Sequence, residues 1–132
     1  MKKMILFSGF LCLVLMSSQL HAQSINNRNW VASFGDPIND SLTLHIQSDS
    51  SFVATSKGDV IIHTTCTVKG DTLTILDHGG GEHECPDMKG TYKINLAGNT
   101  LTLTTIDDAC EGRGQALNGT KWTEVPKVKS QK

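Results

Sequence analysis

Hydrophobic and polar residues alternate with a period of two through most of the chain beyond residue 28. In SLTLHIQ at 41–47, Leu42, Leu44 and Ile46 face one way and the polar residues between them face the other. This alternation is typical of a half-buried strand. Seven further segments have strand character, at 29–34, 51–56, 60–68, 71–76, 91–96, 100–104 and 120–125.

Two of the predicted connections are tight turns. VKGDTLTI at 68–75 and LAGNTLTL at 96–103 each place a glycine in a short polar link, where it supplies the positive φ that a hairpin needs. Eight short strands joined in this way favour an all-β fold, a small eight-stranded antiparallel up-and-down barrel, with a two-sheet sandwich as the alternative. The longer loop DHGGGEHECPDMKG at 77–90 is predicted to lie at the barrel rim.

The alternation also predicts which side chains face the interior. The inward set contains no acid, base or histidine, so we expect either a packed core or a cavity for an apolar ligand, and no enzyme. Its aromatic members would line such a cavity, and they are Trp30, Phe34, Phe52, Tyr92 and Trp122. The others are Ala32, Leu42, Leu44, Ile46, Ala54, Val60, Ile62, Cys66, Val68, Leu73, Ile75, Ile94, Leu96, Leu101 and Leu103.

The segment DDACEGRGQAL at 107–117 departs from the strand pattern and predicts one short helix near the C-terminus. Asp107 or Asp108 can cap its start, and Asn118-Gly119 is a natural end. We therefore expect Asp108 to have a structural role.

Arg113 lies in the middle of this predicted helix and is also expected to be structural. It can reach back to a buried carboxylate, or it can stack on Trp30 or Trp122. We expect it to close the tryptophan end of the barrel.

The first 22 residues have the features of a cleavable signal peptide. Two lysines precede an apolar run at 4–16, and LHA at 20–22 forms the cleavage zone. The run is too short to span a bilayer comfortably. We therefore expect a periplasmic or secreted protein with a barrel domain at 23–126, a disordered tail at 127–132 and no membrane span in the mature chain.

Three cysteines remain after removal of the signal peptide, and an oxidising compartment favours one disulfide between two of them. Cys66 has the phase of the inward residues and is expected to be a buried thiol. Cys85 and Cys110 lie outside the regular strands, one in the rim loop and one in the helical segment. They are predicted to form the disulfide.

Several chemistries are disfavoured by motif and charge. HGGG at 78–81 resembles the oxyanion-hole glycines of some esterases, but the chain has no G-x-S-x-G nucleophile elbow. His78, His83 and Cys85 could gather zinc, but a cysteine in a disulfide is not a ligand. The mature chain has ten basic and 13 acidic residues, a net charge of −3, which argues against a nucleic-acid partner. We expect no catalytic residue, metal or cofactor.

The segment GTYKINLAGNTLTLTTIDDACEGRGQALNGTKW at 90–122 resembles a group of small, secreted, lipocalin-like bacterial proteins. The similarity is concentrated in D-x-C-x-x-R-x-x-A-L at 108–117 and in Trp122, with CP at 85–86 and VKGDTLTI at 68–75 in support. The resemblance implies a calycin-type antiparallel barrel with the short helix packed at one end. It carries no ligand-binding residue over to this chain.

These patterns together predict an exported, non-enzymatic, lipocalin-like binding protein for a small apolar ligand, expected to be monomeric. The alternative is a protein-binding module, such as an inhibitor of a secreted hydrolase, that presents the loop at 77–90 to its partner.

Overall fold

A computed structural model describes residues 24–79 and 81–126 as a closed barrel of eight antiparallel strands in sequence order. The predicted all-β barrel is therefore confirmed. The predicted signal peptide and the predicted disordered tail lie outside the described residues. The strands are β1 (Arg28–Phe34), β2 (Asp40–Ile46), β3 (Ser50–Ala54), β4 (Val60–Lys69), β5 (Thr72–Asp77), β6 (Lys89–Ala97), β7 (Thr100–Asp108) and β8 (Lys121–Val125), and the helix α1 (Glu111–Leu117) lies between β7 and β8.

The first and last strands close the barrel by pairing with each other. Asn29 of β1 lies opposite Val125 of β8, and Val31 lies opposite Thr123. Because the strands run up and down in order, the β1–β2, β3–β4, β5–β6 and β7–β8 connections meet at one end. That end also carries α1, and we call it the helix end. It comprises the described residues in 35–41, 55–60, 77–89 and 106–121.

The two predicted glycine hairpins join β4 to β5 and β6 to β7. Gly70 has a φ of 59° and Gly98 a φ of 62°, the left-handed conformation that favours glycine. The glycine positions in the two turns were therefore predicted correctly.

The core is a packed cluster of inward-facing side chains. Its largest fully buried members come from five of the strands and from the segment before β1. Burial of each stabilises the fold by about 1.5–3 kcal/mol. They are Ile25, Trp30, Leu73, Tyr92, Leu101, Leu103 and Trp122.

Two residues of the predicted inward set are not in the interior. Ser51 is buried, so Phe52, the next residue along β3, lies on the outer face. Ala54 shares the phase of Phe52 but is buried. It lies at a register shift between Val53 and Ala54, which interrupts the period of two. Val60 begins β4 beyond this shift and is 44% exposed.

Candidate functional site

Four of the five aromatic residues predicted to line the interior are in or against the core. Trp30, Tyr92 and Trp122 are each at most 1% exposed. Phe34 is half-buried at the end of β1 and meets Trp122 edge-on, with ring centroids 5.6 Å apart. These rings occupy the barrel interior as packed side chains.

Phe52 is the exception, and its predicted interior position is wrong. Its ring stacks on His45 of β2 with centroids 4.3 Å apart and an angle of 13° between the planes. The prediction failed because it placed the inward phase of β3 one residue too late. On this outer face, a cleft of about 230 Å³ is lined by Asn27, Asn29, His45, Ile46, Gln47 and Phe52.

Trp30 and Trp122 are neighbours on the inner face of adjacent strands. Trp30 lies opposite Glu124, so Trp122, two residues earlier in β8, is its diagonal neighbour. Within the described part of the chain, neither indole Nε1–H has a hydrogen-bond partner. An indole can only donate, and a buried donor without a partner costs about 1–3 kcal/mol. The core therefore holds two unused donors on neighbouring side chains.

A buried ionic cluster joins α1 to the barrel at the helix end. Arg113 Nη1 lies 2.7 Å from Asp77 Oδ1 at the end of β5. The same guanidinium donates from Nε to Asp108 Oδ2 and from Nη2 to Asp108 Oδ1, each at 2.8 Å. Tyr92 Oη also donates to Asp108 Oδ2. The side chains of the two aspartates are almost wholly buried.

The cluster holds its groups in fixed protonation states. Burial raises the pKa of the Asp108 carboxyl, but hydrogen bonds from Arg113 and Tyr92 outweigh it and leave that pKa below its ordinary value. Burial and the Asp108 carboxylate both raise the pKa of the Tyr92 phenol. Burial lowers the pKa of the Arg113 guanidinium, but its two carboxylate partners raise that pKa by more. The net result is a pKa above the ordinary value. Near neutral pH, Asp108 is ionised, Arg113 is charged and Tyr92 is neutral, which suits a structural ion pair.

Asp77 was missed in the predicted inward set, and the signal for it was in the sequence. It continues the phase of Leu73 and Ile75 and is buried at the last position of β5. The strand was predicted to end at Leu76. The expectation of an interior without acids is therefore wrong at this end of the barrel.

The predicted role of Arg113 at the tryptophans is also wrong. Arg113 takes the other role that its position allowed, on buried carboxylates. Arg28 is the arginine that lies over a tryptophan, with its guanidinium carbon 4.5 Å from the centre of the Trp30 ring. Whether Arg113 contacts carboxylates or tryptophans depends on how α1 packs on the barrel, which the local sequence does not specify.

The helix is shorter than predicted and is not capped by an aspartate. It begins at Glu111, and Cys110 occupies the N-cap position without a side-chain capping bond. Asp108 instead ends β7 and accepts a hydrogen bond of 2.8 Å from the Cys110 backbone N–H. Asp107 is exposed. The strand continues through the acidic pair, and the Asp108 side chain bonds to Arg113 and Tyr92 instead of capping the helix.

The predicted disulfide between Cys85 and Cys110 is confirmed, with 6.0 Å between the Cα atoms. It ties the β5–β6 loop to the residue that precedes α1. Cys66 is a buried free thiol, as predicted.

Two carboxylates that accept hydrogen bonds from backbone N–H groups also hold the β5–β6 loop. Glu84 accepts hydrogen bonds from the backbone N–H groups of His63 and Gly81, at 2.8 and 2.9 Å. The Cys85 N–H donates to Asp77 Oδ2 at 2.8 Å. The loop is thus anchored on both the sheet and the ionic cluster.

Across residues 24–79 and 81–126, no three or more His, Cys, Asp or Glu side chains are grouped so that they could hold a metal ion. Nor do these residues form a helix with the length and apolar character needed to cross a membrane. Compared with known proteins, the chain matches no family model, no curated protein and no solved structure.

Proposed function

We propose that the chain is an exported, non-enzymatic, lipocalin-like binding protein whose barrel takes up a small, largely apolar ligand. The observation that carries the proposal is the pair of buried indole N–H groups of Trp30 and Trp122 that have no partner in the described residues. An acceptor oxygen on the ligand would satisfy a donor of this kind. Leu44, opposite Trp30, and Leu101, opposite Trp122, are buried on the same face and would contact the apolar part of the ligand.

The size of the ligand is limited by the side chains that already fill the interior. An eight-stranded barrel has room for packed side chains or for one small molecule. Phe34 is the side chain best placed to make room, because it is half-buried and packs on the edge of Trp122. Its rotation towards solvent would open space beside Trp122.

Export and a binding role have separate support. Disulfides persist in oxidising compartments, so the bond between Cys85 and Cys110 fits an exported protein. The titratable groups that converge at the helix end are Asp77, Asp108, Arg113 and Tyr92, and they are engaged with one another. Their mutual engagement favours a structural role for them over a catalytic one.

Tryptophan fluorescence tests the proposal directly, since Trp30 and Trp122 are the only tryptophans of the chain. We would titrate a panel of small hydrophobic ketones, esters, fatty acids and matched hydrocarbons and also record the melting temperature. We expect a saturable change in emission and a raised melting temperature with at least one acceptor-bearing compound. Absence of both effects across the panel would overturn the proposal.

Variants locate the site within the barrel. Trp122→Phe keeps an aromatic ring but removes one donor, and we expect about a 5- to 10-fold weaker affinity for an acceptor-bearing compound. Phe52→Leu on the outer face is the matched control and leaves the affinity unchanged. The opposite order of effects would place the ligand in the outer cleft and contradict an interior site.

A further inference from the structure

The exposed apolar side chains of the barrel gather at the helix end. Among the described residues, the large exposed hydrophobic side chains are Ile38, Val60, Met88 and Ile106, each between 43% and 59% exposed. Ile38 lies in the β1–β2 connection, Val60 begins β4, Met88 precedes β6 and Ile106 lies near the end of β7. Each of the four strand pairs that are joined at this end therefore contributes one.

The net charge is concentrated at the same end. Its described residues include ten acidic and four basic side chains, which gives −6. The other described residues hold three of each sign, so they are balanced. The exposed acids at the helix end are Asp36, Asp59, Glu82, Asp87, Asp107 and Glu111. The barrel is thus electrically polar along its axis.

Part of this surface is held in place before any partner arrives. The Met88 carbonyl accepts a hydrogen bond of 2.6 Å from Arg113 Nη2, and the Met88 N–H donates to the Cys85 carbonyl at 3.2 Å. The disulfide from Cys85 to Cys110 fixes the same loop. The backbone is therefore anchored while the Met88 side chain is exposed. An ordered surface loses less conformational entropy on binding.

We infer that the helix end is a docking surface for a protein partner whose contacting face is basic and also presents apolar groups. Such a face complements both the carboxylates and the exposed apolar side chains. A second copy docked through the same end would bring two surfaces of like charge together. An anionic membrane surface would be repelled for the same reason. The inference does not depend on the interior ligand.

Titration with two small basic proteins, pancreatic ribonuclease and cytochrome c, tests the inference, with the acidic protein α-lactalbumin as the charge control. Calorimetry at low and at physiological salt measures binding. We expect saturable binding to at least one basic protein, weaker binding at higher salt and none to α-lactalbumin. Absence of saturable binding to both basic proteins overturns the inference.

Two double variants separate a docking surface from general charge attraction. Met88→Ser with Ile106→Ser is expected to weaken binding about tenfold, because it removes two apolar contacts but no charge. Asp49→Asn with Asp71→Asn removes two exposed acids from the balanced part of the barrel and should leave binding unchanged. Equal losses in the two variants, or no loss in the apolar variant, would overturn the inference. Melting temperatures like that of the unmodified protein confirm that both variants are folded.

Discussion

Arg113 Nη1 lies 2.7 Å from Asp77 Oδ1, and the same guanidinium donates two hydrogen bonds to Asp108. One side chain of α1 therefore connects the ends of β5 and β7. The disulfide between Cys85 and Cys110 joins the adjoining loop to the residue before the helix. An electrostatic link and a covalent link thus hold the same end of the barrel.

Replacing Arg113 with methionine is expected to lower the free energy of unfolding by about 3–5 kcal/mol, because it leaves two buried carboxylates without their counter-charge. Urea unfolding followed by tryptophan fluorescence measures the loss. Arg28→Met is the control, since Arg28 pairs with the partly exposed Glu124 and should cost only about 1 kcal/mol. Losses of similar size in the two variants would contradict a special role for the buried cluster.

Acid should weaken the fold through Asp108. The pKa of this carboxyl is lowered in the folded state, so its stabilising contribution is complete above about pH 4, the ordinary value, and is lost as the pH falls through the folded-state pKa. Thermal melts between about pH 2 and about pH 7 follow this loss. Asp108→Asn should be less stable at neutral pH and should depend less on pH below about 4. If this variant loses stability in acid as steeply as the unmodified protein does, groups other than Asp108 dominate the pH dependence.

Alkali should weaken the fold through Tyr92. The pKa of its phenol is raised in the folded state, so its contribution is present below about pH 10, the ordinary value, and is lost as the pH rises beyond it. Tyr92→Phe cannot ionise and should lose less stability than the unmodified protein between about pH 9 and about pH 11. The phenolate absorbance of the folded protein, measured in the same range, should stay low. Early titration of this phenol would be inconsistent with its bond to Asp108.

Removing the disulfide tests the covalent link. The double change Cys85→Ser and Cys110→Ser is expected to lower the free energy of unfolding by about 3.5 kcal/mol in the chain-entropy model, since the bonded residues are 25 apart. Cys66→Ala keeps the disulfide and deletes one buried sulfur, so it should cost about 1–2 kcal/mol. A non-reduced digest that shows a crosslink to Cys66 would contradict the pairing.

Gly90 is predicted to tolerate no side chain. A Cβ at this position would lie 2.5 Å from Asp108 Oδ2 and 2.9 Å from Tyr92 Cε2. Gly90→Ala should therefore cost about 1–3 kcal/mol by overpacking. Gly112→Ala is the matched control, because a Cβ there meets nothing within 4 Å and alanine favours a helix by about 1 kcal/mol. The two substitutions should change the free energy of unfolding in opposite directions.

The barrel could be predicted from the sequence because its signals are local. Alternation with a period of two marks each strand, and Gly70 and Gly98 mark the turns. The disulfide followed from the same reasoning, since Cys66 shares the phase of the inward residues and the other two cysteines do not. Phe52 was misplaced because the phase of a five-residue strand with an adjacent register shift depends on its neighbours. Local alternation carries no information about such a shift.

The candidate site was less predictable because it depends on tertiary proximity. The buried position of Asp77 could have been predicted, since it extends the alternation of β5 by one more inward position. Whether Arg113 bonds to carboxylates or stacks on tryptophans could not be predicted, because it depends on how α1 packs on the barrel. The unpaired donors of Trp30 and Trp122 can be recognised only when their surroundings are known. The polarity of charge likewise requires the topology that gathers alternate connections at one end.

The pairing of the first strand with the last has a consequence for the folding of the chain. Arg28 and Glu124, which form an ion pair across this seam, are 96 residues apart in the sequence. Until β8 is in place, β1 and β7 each present a row of open backbone donors and acceptors, and such edges recruit strands from other molecules. Contacts of this span form slowly because the chain must first close a long loop. Pairing of the five residues of β8 with both of its neighbours removes these last open edges from a newly made chain.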